Sequence, residues 1–84
     1  MKKEIAELFN RLEHNPKQGT PIGNHCYKIR LAIASKGTGK SGGARVITYL
    51  RVQQTAVYLL SIYDKSEKKD IPDNELYALL RLIP

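Results

Sequence analysis

The sequence predicts an α+β fold in which a small antiparallel three-stranded sheet is flanked by an N-terminal and a C-terminal helix. Apolar residues recur with helical spacing at both ends of the chain, and they alternate with other residues in the middle. The connections between the predicted strands are short, which favours an antiparallel meander. We expect both helices to pack on one side of the sheet, and at 84 residues we expect a single domain over residues 1–84.

The first helix is predicted over residues 4–13, where one face is apolar and the other is polar. Proline and glycine in residues 15–21 then end the helix, and we expect this segment to be an irregular connector. A second helix is predicted over residues 73–83, with acidic residues near its N-terminus and leucines at helical spacing.

Three strands are predicted over residues 26–34, 44–52 and 56–63. Alternation places Lys28 and Arg30 side by side on the open face of the first strand. On the third strand, alternation places Tyr58 on the face opposite Tyr63. A glycine-rich turn is expected between the first two strands, and a short turn between the last two.

The composition excludes several classes of protein. One cysteine, Cys26, excludes an internal disulfide framework and a cysteine-rich zinc site, and two histidines leave little material for a histidine-based site. We therefore expect no metal and no cofactor. The chain has no apolar run of the roughly 18 to 20 residues that span a bilayer, and no signal-peptide core, so we expect a cytoplasmic protein.

Positive charge is concentrated in the middle of the chain. The whole chain carries +6, whereas residues 27–69 hold nine basic and two acidic residues and carry +7. A concentrated basic surface attracts polyanions, of which nucleic acid is the commonest in a cytoplasm. The alternative is a solvated surface that keeps the chain soluble.

Gly39-Lys40-Ser41 resembles the end of a nucleotide-binding phosphate loop, but the rest of that motif is missing. Its first glycine would stand where Ala34 is, and strand sequence follows where a helix is needed. We therefore predict no binding of ATP or GTP and interpret these residues as a basic hairpin turn.

The remaining chemistry lies in lysine, arginine and tyrosine, a set that can cleave RNA without a metal. The 2′-hydroxyl attacks the adjacent phosphate, cations stabilise the phosphate oxygens, and a lysine or tyrosine whose pKa is lowered by neighbouring cations acts as the base. The candidates, which would have to converge from different strands, are Lys28, Arg30, Arg45, Tyr63, Lys65 and Lys68.

Two motifs, Gly-Gly-x-Arg-Val-Ile at residues 42–47 and Ile-Tyr-x-Lys-x-Glu-Lys at residues 62–68, resemble the RelE/HigB family of type II toxin–antitoxin toxins. The resemblance covers essentially the whole chain. It implies a small antiparallel sheet with helices, and a ribosome-dependent endoribonuclease that cuts messenger RNA and is inhibited by a cognate antitoxin.

The resemblance also implies roles for individual residues. Arg45 matches the arginine that contacts the scissile phosphate, and Lys28 and Arg30 match a basic pair on the preceding strand. Tyr63, Lys65 and Lys68 match the C-terminal part of the active site, and the base is Lys28 or Lys65. Further basic residues expected to bind nucleic acid are Lys36, Lys40, Arg51 and Lys69.

The chain departs from the family pattern at its start. Members usually begin with a further strand and helix, so the chain is expected to be short at its N-terminus and to leave one sheet edge exposed. Two alternatives to the nuclease stay open: a degenerate, non-catalytic module that binds RNA or an antitoxin, and a ParE-like inhibitor of gyrase.

Overall fold

The computed structural model describes residues 2–32, 43–54, 56–68 and 70–83. The part of the first predicted strand that covers residues 33–34, and the glycine-rich turn up to residue 42, lie outside the described residues. In chain order the elements are α1 (Lys2–His14), β1 (Thr20–Gly23), β2 (Cys26–Ala32), β3 (Gly43–Arg51), a short 3-10 helix (Val52–Gln54), β4 (Ala56–Asp64) and α2 (Asp73–Leu80).

The four strands form one antiparallel sheet in the order β1-β2-β3-β4. The α+β class and the antiparallel meander are therefore confirmed. The register places Arg30 of β2 opposite Arg45 of β3, and Arg45 in turn opposite Tyr63 of β4. These three residues form one row across the sheet, on one face of it.

The sheet has one strand more than the sequence predicts, because residues 20–23 pair with β2 instead of forming part of an irregular connector. The hairpin turns at Asn24 (φ 55°) and His25 (φ 61°), and Gly23 also has a positive φ of 94°. Two consecutive residues with positive φ give the turn type that matches the twist of paired strands. The short strand carries no alternating apolar pattern, so its sequence gave no sign of pairing.

The expectation that both helices pack on one side of the sheet is wrong. Leu8 and Leu12 of α1 pack on one face, with Ile29 and Val46. On the other face Leu76 of α2 packs with a different set of buried residues, which are Cys26, Ile47, Tyr63 and Ile71. The strands carry apolar residues on both faces, as adjacent Val46 and Ile47 show, and a helix therefore packs on each face.

A β-bulge in β4 changes which residues share a face. Ile47 pairs with Ser61 but Thr48 pairs with Leu59, so Leu60 is the extra residue. The predicted strict alternation in this strand is wrong as a result. Tyr58 lies opposite Tyr49 on the α2 side of the sheet, the same side as Tyr63.

The α1 side of the sheet is only partly covered. A groove of about 540 Å³ lies between α1 and the last two strands, and the exposed side chains of Phe9 and Leu59 line it. Neither helix in the described part of the chain is long and apolar enough to cross a membrane.

Candidate functional site

A groove lined by cationic side chains opens on the α2 side of the sheet, at the end where β2 and β3 carry their arginines. Its volume is about 460 Å³. We call it the basic groove, and the described residues that line it are Gly19, Thr20, Lys28, Arg30, Arg45 and Lys65. Four of these six carry a positive charge and none is acidic, so the groove is suited to an anion.

Arg30 and Arg45 form the centre of the basic groove. They lie directly opposite each other on adjacent strands, where Cβ atoms are about 4.5–5.5 Å apart and like charges destabilise the pairing. Arg45 donates a hydrogen bond from Nη1 to the backbone oxygen of Ala44 at 3.4 Å, which leaves most of its guanidinium hydrogens available. A bound anion would relieve the repulsion between the two side chains.

Lys65 enters the groove from the loop after β4, and the backbone of this loop is well fixed. The amide of Lys65 donates to the backbone oxygen of Gly43 at 3.1 Å, which extends the pairing with β3. Asp64 Oδ1 accepts hydrogen bonds from both the amide and the hydroxyl of Ser66, each at 2.9 Å. Asp64 thus holds the turn that positions Lys65.

Lys28 lines the groove but is already paired with a carboxylate. Its Nζ donates to Oδ1 of Asp70, in the segment between β4 and α2. The side chains are 27% and 61% exposed, so the pair is open to solvent and is weak in energetic terms. A phosphate that enters the groove would therefore compete with Asp70 for Lys28. The face of β2 that the sequence predicts to be open is therefore partly occupied at Lys28.

Tyr63 and Lys68 lie beside the groove. Tyr63 is 5% exposed, and its hydroxyl has no hydrogen-bond partner among the described residues. Lys68 Nζ lies 4.9 Å from the centre of the Tyr63 ring, within range of a cation–π interaction. It also donates to Oε2 of Glu75 on α2 at 2.5 Å.

Burial raises the pKa of the Tyr63 phenol above its ordinary value of 10.0, and nearby Asp70 also raises it. The three neighbouring cations lower the pKa, but the net shift is upward; these cations are Lys28, Lys68 and Arg45. The interpretation of tyrosine as a base with a lowered pKa therefore does not hold for Tyr63. This phenol keeps its proton at neutral pH and is suited to donate it.

The structure brings together most of the predicted site residues. Lys28, Arg30, Arg45 and Lys65 line one groove. Arg51 does not join them, because it lies six residues beyond Arg45 on β3, about 20 Å away along the strand. The other residues predicted to bind nucleic acid, Lys36, Lys40 and Lys69, lie outside the described residues.

Sequence reasoning missed Asp70 and Glu75, the carboxylates that hold Lys28 and Lys68. Their spacing from these lysines, 42 and 7 residues, follows no local pattern, so only the fold brings the partners together. Within the described residues, no group of three or more histidine, cysteine, aspartate and glutamate side chains is placed to hold a metal ion.

Comparison with known protein families finds a match over nearly the full chain. The family model described as the RelE toxin of the RelE/RelB toxin–antitoxin system matches residues 2–83.

Proposed function

Because the chain belongs to the RelE toxin family of toxin–antitoxin systems, we propose that it is an endoribonuclease that cuts messenger RNA on the ribosome. The observation that carries this proposal is the basic groove. Cations from β2, β3 and the loop after β4 converge there on a volume large enough for a phosphate and its neighbouring sugars.

Arg30 and Arg45 are the proposed binding site for the scissile phosphate. Their guanidinium groups lie on neighbouring strands and face the same groove, so together they can hold both non-bridging oxygens. As the 2′-oxygen attacks phosphorus, charge develops on these oxygens. Donors already in place stabilise that charge without reorganisation.

The reaction also needs a base and a proton donor. We assign the base that takes the proton of the 2′-hydroxyl to Lys65, which lines the basic groove, because Lys28 is held by Asp70. The new bond joins phosphorus to the 2′-oxygen, and the bond to the 5′-oxygen breaks. The proposed donor of a proton to the leaving 5′-oxygen is Tyr63, whose phenol is neutral and lies opposite Arg45 in the sheet. Because its hydroxyl is buried, bound RNA must displace neighbouring side chains to reach it.

The ribosome and the messenger RNA are proposed partners, and both proposals are based on membership of the family. A groove of this size holds only a short stretch of RNA. A surface that gathers the RNA by charge would bind it with little sequence selectivity. Presentation of the message by the ribosome would supply the selectivity that the groove lacks.

A second candidate function is RNA binding without cleavage. The two ion pairs favour it, since Lys28 and Lys68 are both engaged by carboxylates in this structure. If RNA does not displace Asp70, the groove retains only part of its charge for the phosphate. The chain would then bind RNA with a marked dependence on salt and leave it intact.

Substitution of Arg45 tests the nuclease. In a purified translation system, Arg45→Ala should reduce cleavage of translated messenger RNA by about 100- to 1,000-fold, the cost of losing one pre-placed donor. Arg11→Ala is the matched control, because Arg11 is an exposed arginine of α1, on the other side of the sheet. Cleavage by the control should equal that of the original chain.

Three outcomes separate the candidates. Equal cleavage by Arg45→Ala and the original chain would refute the assignment of the groove. Binding of RNA by the original chain with no cleavage would favour the second candidate. Inhibition of DNA supercoiling by gyrase without cleavage of RNA would favour the ParE-like activity.

A further inference from the structure

A second surface, at the opposite end of β3 from the basic groove, combines aromatic rings with a cation. The guanidinium carbon of Arg51 lies 5.3 Å from the centre of the Tyr58 ring. The rings of Tyr58 and Tyr49 are 6.2 Å apart and tilted by 47°. The β-bulge of β4 creates this arrangement, because it places Tyr58 opposite Tyr49 on the α2 side of the sheet. We call these three residues with His25 the distal patch.

Two adjoining grooves of about 320 and 350 Å³ open at the distal patch, and His25, Tyr49 and Arg51 line both of them. One groove is closed on one side by the end of α2, through Leu80 and Ile83. Each volume is at the lower end of the range for small-ligand pockets, about 300–1,000 Å³. The size fits a nucleobase better than an extended ligand.

The side chains at these grooves have the properties that bind unpaired bases. Tyrosine faces and an arginine guanidinium are surfaces on which bases stack. Asn24, His25 and Gln53 supply hydrogen-bonding groups at the rims, where a base edge would lie. None of the described residues that line either groove is acidic, so a phosphate meets no repulsion there.

We propose that the distal patch is a second RNA-binding site, which stacks an unpaired base and neutralises its phosphate but takes no part in cleavage. The inference rests on the proposed function in that RNA is the ligand. Along β3, Tyr49 and Arg51 of the patch lie about 13 and 20 Å from Arg45 of the basic groove. Between them on the strand is Ile47, which belongs with Leu76 of α2 to one buried cluster. The two sites therefore hold separate segments of RNA.

Photocrosslinking tests the location of the site. Single-stranded RNA that contains 5-bromouridine and carries 2′-O-methyl groups, which cannot attack the phosphate, is irradiated with the full chain, and the crosslinked residues are mapped by mass spectrometry. We expect crosslinks at Tyr49 or Tyr58 as well as near Lys65 in the basic groove. Crosslinks near Lys65 alone would overturn this inference and leave the proposed function standing. Crosslinks at the patch alone would support the inference and contradict the proposed function.

Affinity measurements test the chemistry, with the same RNA and without the bromine. Tyr49 is the tyrosine that lines both grooves, and Tyr49→Leu should weaken binding by about 5- to 150-fold, which corresponds to the loss of one base stack of about 1–3 kcal/mol. Tyr49→Phe is the matched control and should bind within about twofold of the parent chain, because it keeps the ring. Equal affinity of the leucine and phenylalanine variants would overturn the proposal.

A second substitution keeps the test valid if Tyr49→Leu does not fold. Arg51→Gln should reduce the slope of log RNA affinity against log salt concentration by about the amount that one phosphate contact contributes. An unchanged salt dependence would overturn the proposal. So would a variant that binds RNA normally but loses its antitoxin, since the patch would then be a protein interface.

Discussion

Tyr63 is a core residue that lies opposite Arg45 of the basic groove. Its ring is buried under α2 and lies close to Lys68, yet its hydroxyl has no hydrogen-bond partner among the described residues. A buried hydroxyl without a partner costs about 1–3 kcal/mol of stability. A phenylalanine would fill the same space without that cost, and the proposed role of the hydroxyl as proton donor would account for the tyrosine.

Tyr63→Phe should therefore separate activity from stability. We expect cleavage of translated messenger RNA to fall about 100- to 10,000-fold, the usual effect of losing a general acid. The midpoint of thermal unfolding should stay the same or rise, because the unpaired hydroxyl is removed. Full activity of the variant would contradict the assignment of Tyr63 as proton donor and leave it as a core residue.

Cys26 and Tyr63 together predict how stability depends on pH. Burial raises the pKa of the Cys26 thiol above its ordinary value of 9.0, and that of the Tyr63 phenol above 10.0. Above these ordinary values the unfolded chain loses protons that the folded chain retains, so the free energy of unfolding falls as pH rises. Below about pH 9 neither group contributes a pH dependence of this kind.

Denaturant titrations at a series of pH values check this expectation. Stability should begin to decline near pH 9. Cys26→Ala should move the onset of the decline toward pH 10, because the Tyr63 phenol then causes the decline. A decline that starts at the same pH in both chains would show that the thiol does not titrate as its burial requires.

At the scale of elements, the β1–β2 hairpin forms one wall of the basic groove. Gly19 has a φ of +95°, and a side chain there would place Cβ 2.4 Å from the backbone oxygen of Lys28. Gly23 has nearly the same φ, +94°, but a side chain there would meet no atom within 4 Å among the described residues. The two glycines thus share one backbone constraint but differ in the room that is available for a side chain.

Substitution of each glycine by alanine should reveal this difference. Both variants lose about 1–2 kcal/mol because alanine is strained at positive φ. Gly19→Ala should lose more than Gly23→Ala, since the backbone of β2 must also move away. Urea denaturation measures both values, and equal losses would show that the close approach of Gly19 to Lys28 is not maintained in solution.

The segment between β4 and α2 controls the charge of the groove. Asp70→Asn removes the carboxylate that holds Lys28, so RNA should bind more tightly. The dependence of RNA affinity on salt should also become steeper, because binding then releases about one more counterion. Stability should change by no more than about 1 kcal/mol, as is usual for an exposed pair. Asp73→Asn is the matched control, because Asp73 is exposed and its substitution changes the net charge by the same amount. Equal gains for both variants would indicate a general charge effect.

At the scale of the whole molecule, a thin fold carries a strong positive charge and apolar surface that remains exposed. Each face of the sheet is covered by one helix, and side chains such as Phe9, Leu59 and Ile62 stay in contact with water. A chain of this length buries only about 60% of the surface of its unfolded state. Its stability alone is therefore expected to be small.

The antitoxin that the family implies should act on this stability. A partner that binds only the folded chain raises its free energy of unfolding by about 2.7 kcal/mol at a concentration one hundred times its Kd. We expect the complex to melt at a higher temperature than the toxin alone, and co-expression to improve solubility. Differential scanning calorimetry compares the two, with an unrelated acidic protein as the control. Equal melting temperatures would refute the expectation.

The sequence by itself determined the class of fold and the positive charge of the groove. Helical spacing located both helices, alternation located β2, β3 and β4, and the concentration of cations between residues 27 and 69 indicated a polyanion. These features depend on local periodicity and on composition, which a sequence displays directly. The resemblance of two motifs added the family.

Only the tertiary structure decided which groups meet. Asp70 pairs with Lys28 across 42 residues, and the bulge at Leu60 moves Tyr58 to the face that carries Arg51 and Tyr63. Burial sets the direction of the Tyr63 pKa, against the cations around it. Long-range pairing, one extra residue in a strand and desolvation have no periodic signature, and their effects exist only after the chain has folded.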